Sequence, residues 1–232
     1  MLDIYGMTFG SWQLWLSGLW QTLWLVSASL LLGLMIAIPC GVVLAARIHW
    51  FWKLPFYSFS YIFRGTPMLV QLYFFYYGLG IWLGQVEGIR EHFLWPYLRQ
   101  AWPWVLFAFA LNTAAYTSEI IRGAIKTTSA GEIEAAKAFG MSRFTILKRI
   151  IFPSVIRRSL PSYGNEIIFM LQGSAIASVA TLMDITGAAR RVYSNYYEPF
   201  VPFITAGLLY LAITTVVTVL FRRLERRYQQ QN

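Results

Sequence analysis

The sequence predicts an all-α polytopic integral membrane protein with about five transmembrane helices, its N-terminus outside and its C-terminus cytoplasmic. Three observations carry this prediction. Of 232 residues, 57% are hydrophobic and only 12% charged, about half the roughly 25% charge of soluble domains. Apolar runs of the roughly 20 residues that a bilayer crossing needs recur along the chain. Fifteen of the nineteen Lys and Arg residues fall on one side of those runs. The same composition excludes disorder, which needs low hydrophobicity and high charge, and low-complexity architectures, which need compositional bias.

The opening MLDIYGMTFG carries an acid where a secretory signal carries cations, so no cleavage is expected. Phe9–Gly18 interleaves Trp12, Leu14, Trp15 and Leu16 with Ser11, Gln13 and Ser17, a pattern suited to a short helix in the outer interface. Spans follow at Trp20–Ala45, Ser58–Gly84, Pro103–Ile121, Pro161–Ala180 and Phe200–Phe221. Pro39 and Gly41 invite a kink in the first. Gly80, Gly84 and Gly88, four apart, either admit a close helix neighbour or mark a fraying helix end. Arg64-Gly65-Thr66-Pro67 has a structural account in which Thr caps, Pro takes the first helical position and Arg anchors at the inner interface. Asp184-Ile185-Thr186-Gly187 reads as an outer turn or cap. Trp50, Trp52, Trp95, Trp102 and Trp104 cluster near span boundaries, as aromatic belts do.

Five spans place the termini on opposite sides. One side holds Arg47, Lys53, Arg64, eight cations between Arg122 and Arg158, and four between Arg222 and Arg227, fifteen in all; the other holds Arg90, Arg99, Arg190 and Arg191. The positive-inside rule makes the richer side cytoplasmic. Because the +9 charge follows topology, it requires no nucleic-acid partner. The chain reads as a single transmembrane domain over 1–232, and its one soluble-looking insert, 122–158, is too short for a catalytic domain with its own core. With Cys40 the lone cysteine and His49 far from His92, neither an intrachain disulfide nor a metal site is expected.

That insert is the most informative stretch. Ser129 with Glu132 matches a capping box, Glu134–Ala138 are mostly helix formers, and Gly140 offers a left-handed stop. A second helix over Ser142–Ile151 places Phe144, Leu147, Ile150 and Ile151 on one face and Arg143 and Lys148 on another, until Pro153 interrupts it. Read from the residues alone, the pair is either an amphipathic connector or a rigid knob for a partner to grip.

Glu134-Ala135-Ala136, then Gly140, then Ile150 and Pro153, resemble the EAA signature of ATP-binding-cassette importer permeases, with Phe152 in place of the usual Leu. YIFRGTPMLVQLYFFYYGLG (61–80), LNTAAYTSEIIRGAI (111–125) and TLMDITGAAR (181–190) are similar to the polar amino-acid importer permeases, and the likeness runs through nearly the whole chain. Within that family it resembles the M-type subunits of histidine and lysine–arginine–ornithine importers. The resemblance implies a bacterial inner-membrane location and a helix around Glu134–Gly140 docked on a cytoplasmic homodimeric ATPase. It further implies a second permease subunit and a periplasmic amino-acid-binding protein. Lacking a G-x-x-x-x-G-K-[ST] loop, the chain is expected to leave ATP and Mg to the ATPase and to hold no cofactor of its own.

An ionisable residue at bilayer depth costs roughly 2.5–3.5 kcal/mol on insertion scales, so each needs a reason. Glu119 lies three residues before Arg122, within pairing distance on a helix, and is either a structural ion pair or a pathway group. Glu166, beside Asn165 and followed by Gln172 and Ser174, either lines a pathway for a cationic substrate or packs against a partner subunit. The expected function is a permease for basic or polar amino acids. Another polar amino acid or an opine-type solute is the alternative, with an autonomous channel and an intramembrane enzyme as rivals. No span contains a His, and no nucleophile–base constellation is visible.

Overall fold

A computed structural model describes residues 3–229, so both ends of the predicted 1–232 domain and the start of MLDIYGMTFG lie outside the described residues. Within them the chain is helical and contains no strand. Helix α1 (Ile4–Thr8), capped where Gly6 N–H donates to Asp3 Oδ1 at 2.8 Å, leads into α2 (Trp12–Ala45). The interfacial helix expected at Phe9–Gly18 is therefore corrected, since Trp12–Gly18 opens the long α2. Packing takes its apolar face: Trp15 is buried and its indole N–H donates to the Met7 carbonyl at 3.1 Å. At 34 residues α2 is about 51 Å long, well beyond the hydrocarbon thickness, and it runs through Pro39 as one helix.

The second expected span is broken into α3 (Trp50–Gly65) and α4 (Met68–Leu83), the latter containing a π-helical stretch over Phe74–Gly80. Pro67 precedes α4 as its N-cap instead of taking the first helical position. Thr66 closes α3 by donating to the Ile62 carbonyl at 2.8 Å. The glycines at and beyond the end of α4 divide between the two readings: Gly80 and Gly84 lie against Trp104 and Trp95, whereas Gly88, with φ 77°, forms a turn. Short α5 (Trp95–Leu98) then precedes α6 (Ala101–Lys126).

Beyond α6 come α7 (Ala130–Ala138), α8 (Arg143–Ala180), α9 (Ile185–Tyr196) and α10 (Phe200–Gln229), with a 47° bend between α8 and α9. Two expectations are corrected here. The helix beginning at Ser142 does not end at Pro153, and Pro161 does not break the helix that carries the fourth expected span. Both prolines lie within one continuous rod. A π-helical turn over Leu147–Ile151 shifts the hydrogen-bond register just before Pro153, where an N–H is missing. The apolar face of that stretch also differs from expectation, with Ile146 buried and Phe144 and Leu147 exposed.

Among the described residues three helical rods are long and apolar enough to cross a membrane, Ile4–Ala45, Ala101–Lys126 and Phe200–Arg227, and α8 with α9 makes a fourth if the bent pair counts as one. The packing centres on α2 against α6. Gly33, Ala37 and Gly41, four apart, let the backbones close in, and a Cβ on Gly41 would meet the Ser118 carbonyl and Ile121 Cβ at 2.8 Å. One buried cluster joins α2, α4, α6 and α8 through Leu25, Leu72, Phe109 and Leu171; another joins α1, α2, α9 and α10 through Met7, Trp15, Ile185 and Ala206. The apolar stretch of α10 is almost wholly unburied, so that helix faces lipid or another subunit.

Candidate functional site

The break between α3 and α4 leaves backbone carbonyls without helical partners, and polar side chains take them up. Gln71 Nε2 donates to the carbonyls of Phe63 at 2.7 Å and Thr66 at 3.0 Å and to Thr66 Oγ1 at 2.8 Å. Asn112 Nδ2, from α6, donates to Gln71 Oε1 at 3.0 Å and to the Phe63 carbonyl at 3.3 Å, and Tyr116 O–H reaches the Arg64 carbonyl at 3.3 Å. Beside this lattice lies a cavity of about 380 Å³ lined by Met68, Asn112, Tyr116, Glu166, Phe169, Met170 and Gly173. Glu166 is 7% exposed there.

Of the other proposed pathway residues, none lines that cavity. Asn165 and Gln172 point outward and are exposed. Ser174 is buried and donates to the Leu171 carbonyl at 2.7 Å. Glu119 stands one helical layer toward the cation-rich end, where its carboxylate accepts from Ser60 Oγ at 3.2 Å and from Arg122 at 3.3 Å, with Arg64 at 3.8 Å. Arg64 also donates to Ser60 Oγ at 3.0 Å, so this cluster ties α3 to α6. Asp184 is wholly buried, its Oδ1 accepting from Gly187 N–H at 2.7 Å and its Oδ2 from Tyr210 O–H at 3.4 Å. It is a helix cap joining α9 to α10 and does not meet solvent.

The second feature is α7. Ser129 Oγ accepts from Glu132 N–H at 3.5 Å at its start. At its end Gly140 adopts φ 72°, its N–H bonding the Lys137 carbonyl at 2.9 Å while the Met141 N–H bonds that of Ala136 at 3.0 Å. These are the paired bonds of a Schellman cap. Glu134 and Ala135 are exposed and Ala136 is buried, while Phe139 (88% exposed) and Phe144 stand out on either side of the glycine turn. Ile150 and Pro153 face a separate cleft of about 500 Å³, shared with Glu132, Arg149, Arg158 and Glu225.

Residues 37–230 match the family described as the binding-protein-dependent transport system inner membrane component. The chain belongs to that family. It is a permease subunit of an ATP-binding-cassette importer, a multi-pass inner-membrane protein and not an enzyme. It is 43% identical over 210 residues to the octopine transport system permease of Rhizobium radiobacter, covering 90% of this chain and 84% of that one. It is 42% identical over 214 residues to the histidine/lysine/arginine/ornithine transport system permease of Salmonella typhimurium, covering 92% and 89%. An amino acid ABC transporter crystallised with histidines superposes with a TM-score of 0.84 at 32% identity, covering 98% of this chain and 99% of that one. A methionine transporter shares the fold, with a TM-score of 0.75 at 17% identity, covering 98% and 99%.

The permease thus presents a membrane cavity with one buried carboxylate and an exposed, doubly capped helix at the end richest in cations. Gln71, Asn112, Tyr116 and Phe139 were not singled out in the sequence. The signal for the first two was present, amide side chains inside the apolar runs that follow a Gly-x-Pro break.

Proposed function

We propose that this permease carries basic or polar L-amino acids, histidine, arginine, lysine and ornithine among them, inward across the membrane. Glu166 carries the substrate class. Its carboxylate is nine-tenths buried, and among the described residues its cavity is lined by no Lys or Arg, so a positively charged side chain is the natural counter-charge. The names of the Salmonella relative and of the histidine-bound transporter agree with this reading. The octopine and nopaline permeases among the relatives support a second one, an opine-type solute.

The helix Ala130–Ala138 docks in a groove on a homodimeric ATPase that binds ATP and Mg. Exposed Glu134 and Ala135, with Phe139 beyond them, support that role, while Gly140 ends the helix and Ile150 and Pro153 of α8 line the cleft that Glu132 shares. A second permease subunit and a periplasmic binding protein complete the importer, which alternates access around the cavity. The chain crosses the bilayer five times with its N-terminus outside, the second crossing made by the short α4, about 24 Å long. Glu119 serves as a structural ion pair.

The test is Glu166→Gln in the importer reconstituted with its ATPase and binding protein. Arginine uptake should fall at least tenfold, while binding-protein-stimulated ATP hydrolysis persists. Arginine uptake equal to that of the parent would remove Glu166 from the pathway.

A further inference from the structure

A different cavity, about 250 Å³, opens where the cation-rich ends of α2, α3 and α6 converge. Leu44 and Leu54 form its apolar wall, Trp50 and Tyr57 flank it, and Lys53, Arg122 and Lys126 supply charge. Among the described residues no acidic side chain lines it. Arg122 shares its charge with Glu119 at 3.3 Å, but among the described residues Lys53 and Lys126 make no ion pair. Cations converging on one cleft repel one another unless an anion joins them. A free inorganic anion would want polar walls, and these are aliphatic and aromatic. An occupant with a negative head and an apolar body satisfies both halves, and Trp and Tyr favour the depth at which a lipid head group meets its acyl chains.

We propose that this cleft binds an anionic phospholipid. Lys53 and Lys126 meet the phosphodiester, and Trp50, Tyr57 and Leu54 lie along the glycerol and upper acyl chain. The proposed orientation of the chain decides only that the leaflet is the cytoplasmic one; the head-group chemistry is independent of it and of the substrate. The lipid would clamp the α2–α3 connection against the end of α6, next to the Glu119 cluster.

The test is native mass spectrometry of the intact importer in detergent, incubated with dioleoylphosphatidylglycerol or dioleoylphosphatidylcholine, with and without millimolar inorganic phosphate. Each cation near an anionic surface contributes roughly fivefold in binding, so Lys53→Gln with Lys126→Gln should weaken phosphatidylglycerol retention roughly twenty-five-fold. Phosphatidylcholine should be unaffected, and phosphate should not displace the bound lipid. The Lys53→Arg/Lys126→Arg pair should restore retention, which separates lost contact from lost folding. Arg222→Gln/Arg223→Gln, outside the cleft, should retain the lipid to within about twofold. Equal retention by the double Gln variant, equal loss in the Arg222/Arg223 control, no restoration by the Arg pair, or displacement by phosphate would each overturn the assignment.

Discussion

The α3–α4 break depends on Gln71, and its removal can be worked through atom by atom. Gln71→Leu keeps the side-chain volume nearly constant and deletes one amide. The Thr66 carbonyl then loses the Gln71 bond, the Phe63 carbonyl keeps only Asn112 at 3.3 Å, and Asn112 loses its acceptor on Gln71. Gln71 and Asn112 are 6% and 7% exposed, so water reaches their amides poorly. With about two buried polar groups orphaned at roughly 1–3 kcal/mol each, the cost is about 2–6 kcal/mol. For a chain of this length that corresponds to a fall in Tm of about 5–20 °C. The assay is thermal unfolding of the purified importer, read alongside arginine uptake. Gln71→Glu retains the acceptor for Asn112 but not the donors, and should fall between Gln71→Leu and the parent before the cost of its added charge. A Tm for Gln71→Leu within about 2 °C of the parent would refute the view that this amide holds the break together.

Gly41→Ala drives a Cβ against the Ser118 carbonyl at 2.8 Å and should cost about 1–3 kcal/mol in thermal unfolding, whereas Gly207→Ala, with nothing within 4 Å, should be neutral or stabilising by up to about 1 kcal/mol. Gly140→Val forces a β-branched residue to φ 72° at a cost of about 1–2 kcal/mol, and hydrogen exchange should show faster exchange confined to α7, with Gly140→Asn affected less. Glu134→Lys, on an exposed position, should leave insertion and Tm intact and abolish stimulated ATP hydrolysis; normal stimulation would argue against docking through α7.

Much of the site was legible because its signals are local. Ser129 and Gly140 mark the ends of α7 through bonds within four or five residues, and the pairing of Glu119 with Arg122 follows from helical spacing. Nearness along the chain does not stand in for geometry. Asn165 and Gln172 flank Glu166 in sequence, yet the turn of the helix carries both away from its cavity. The Gln71–Asn112 bond joins residues 41 apart, which no local pattern reports.

Hydropathy and charge alone settled the solvent, the helical class and the approximate position of the apolar runs, because transfer to lipid is a property of segments taken one at a time. Tertiary packing decided which breaks were real. Pro67 interrupts a span because Gln71 and Asn112 can receive the freed carbonyls. Pro153 and Pro161 do not, because a π-helical turn and neighbouring helices hold α8 together around them. A proline removes the same donor wherever it stands, and only the surrounding structure determines whether the loss becomes a hinge or stays inside a rod.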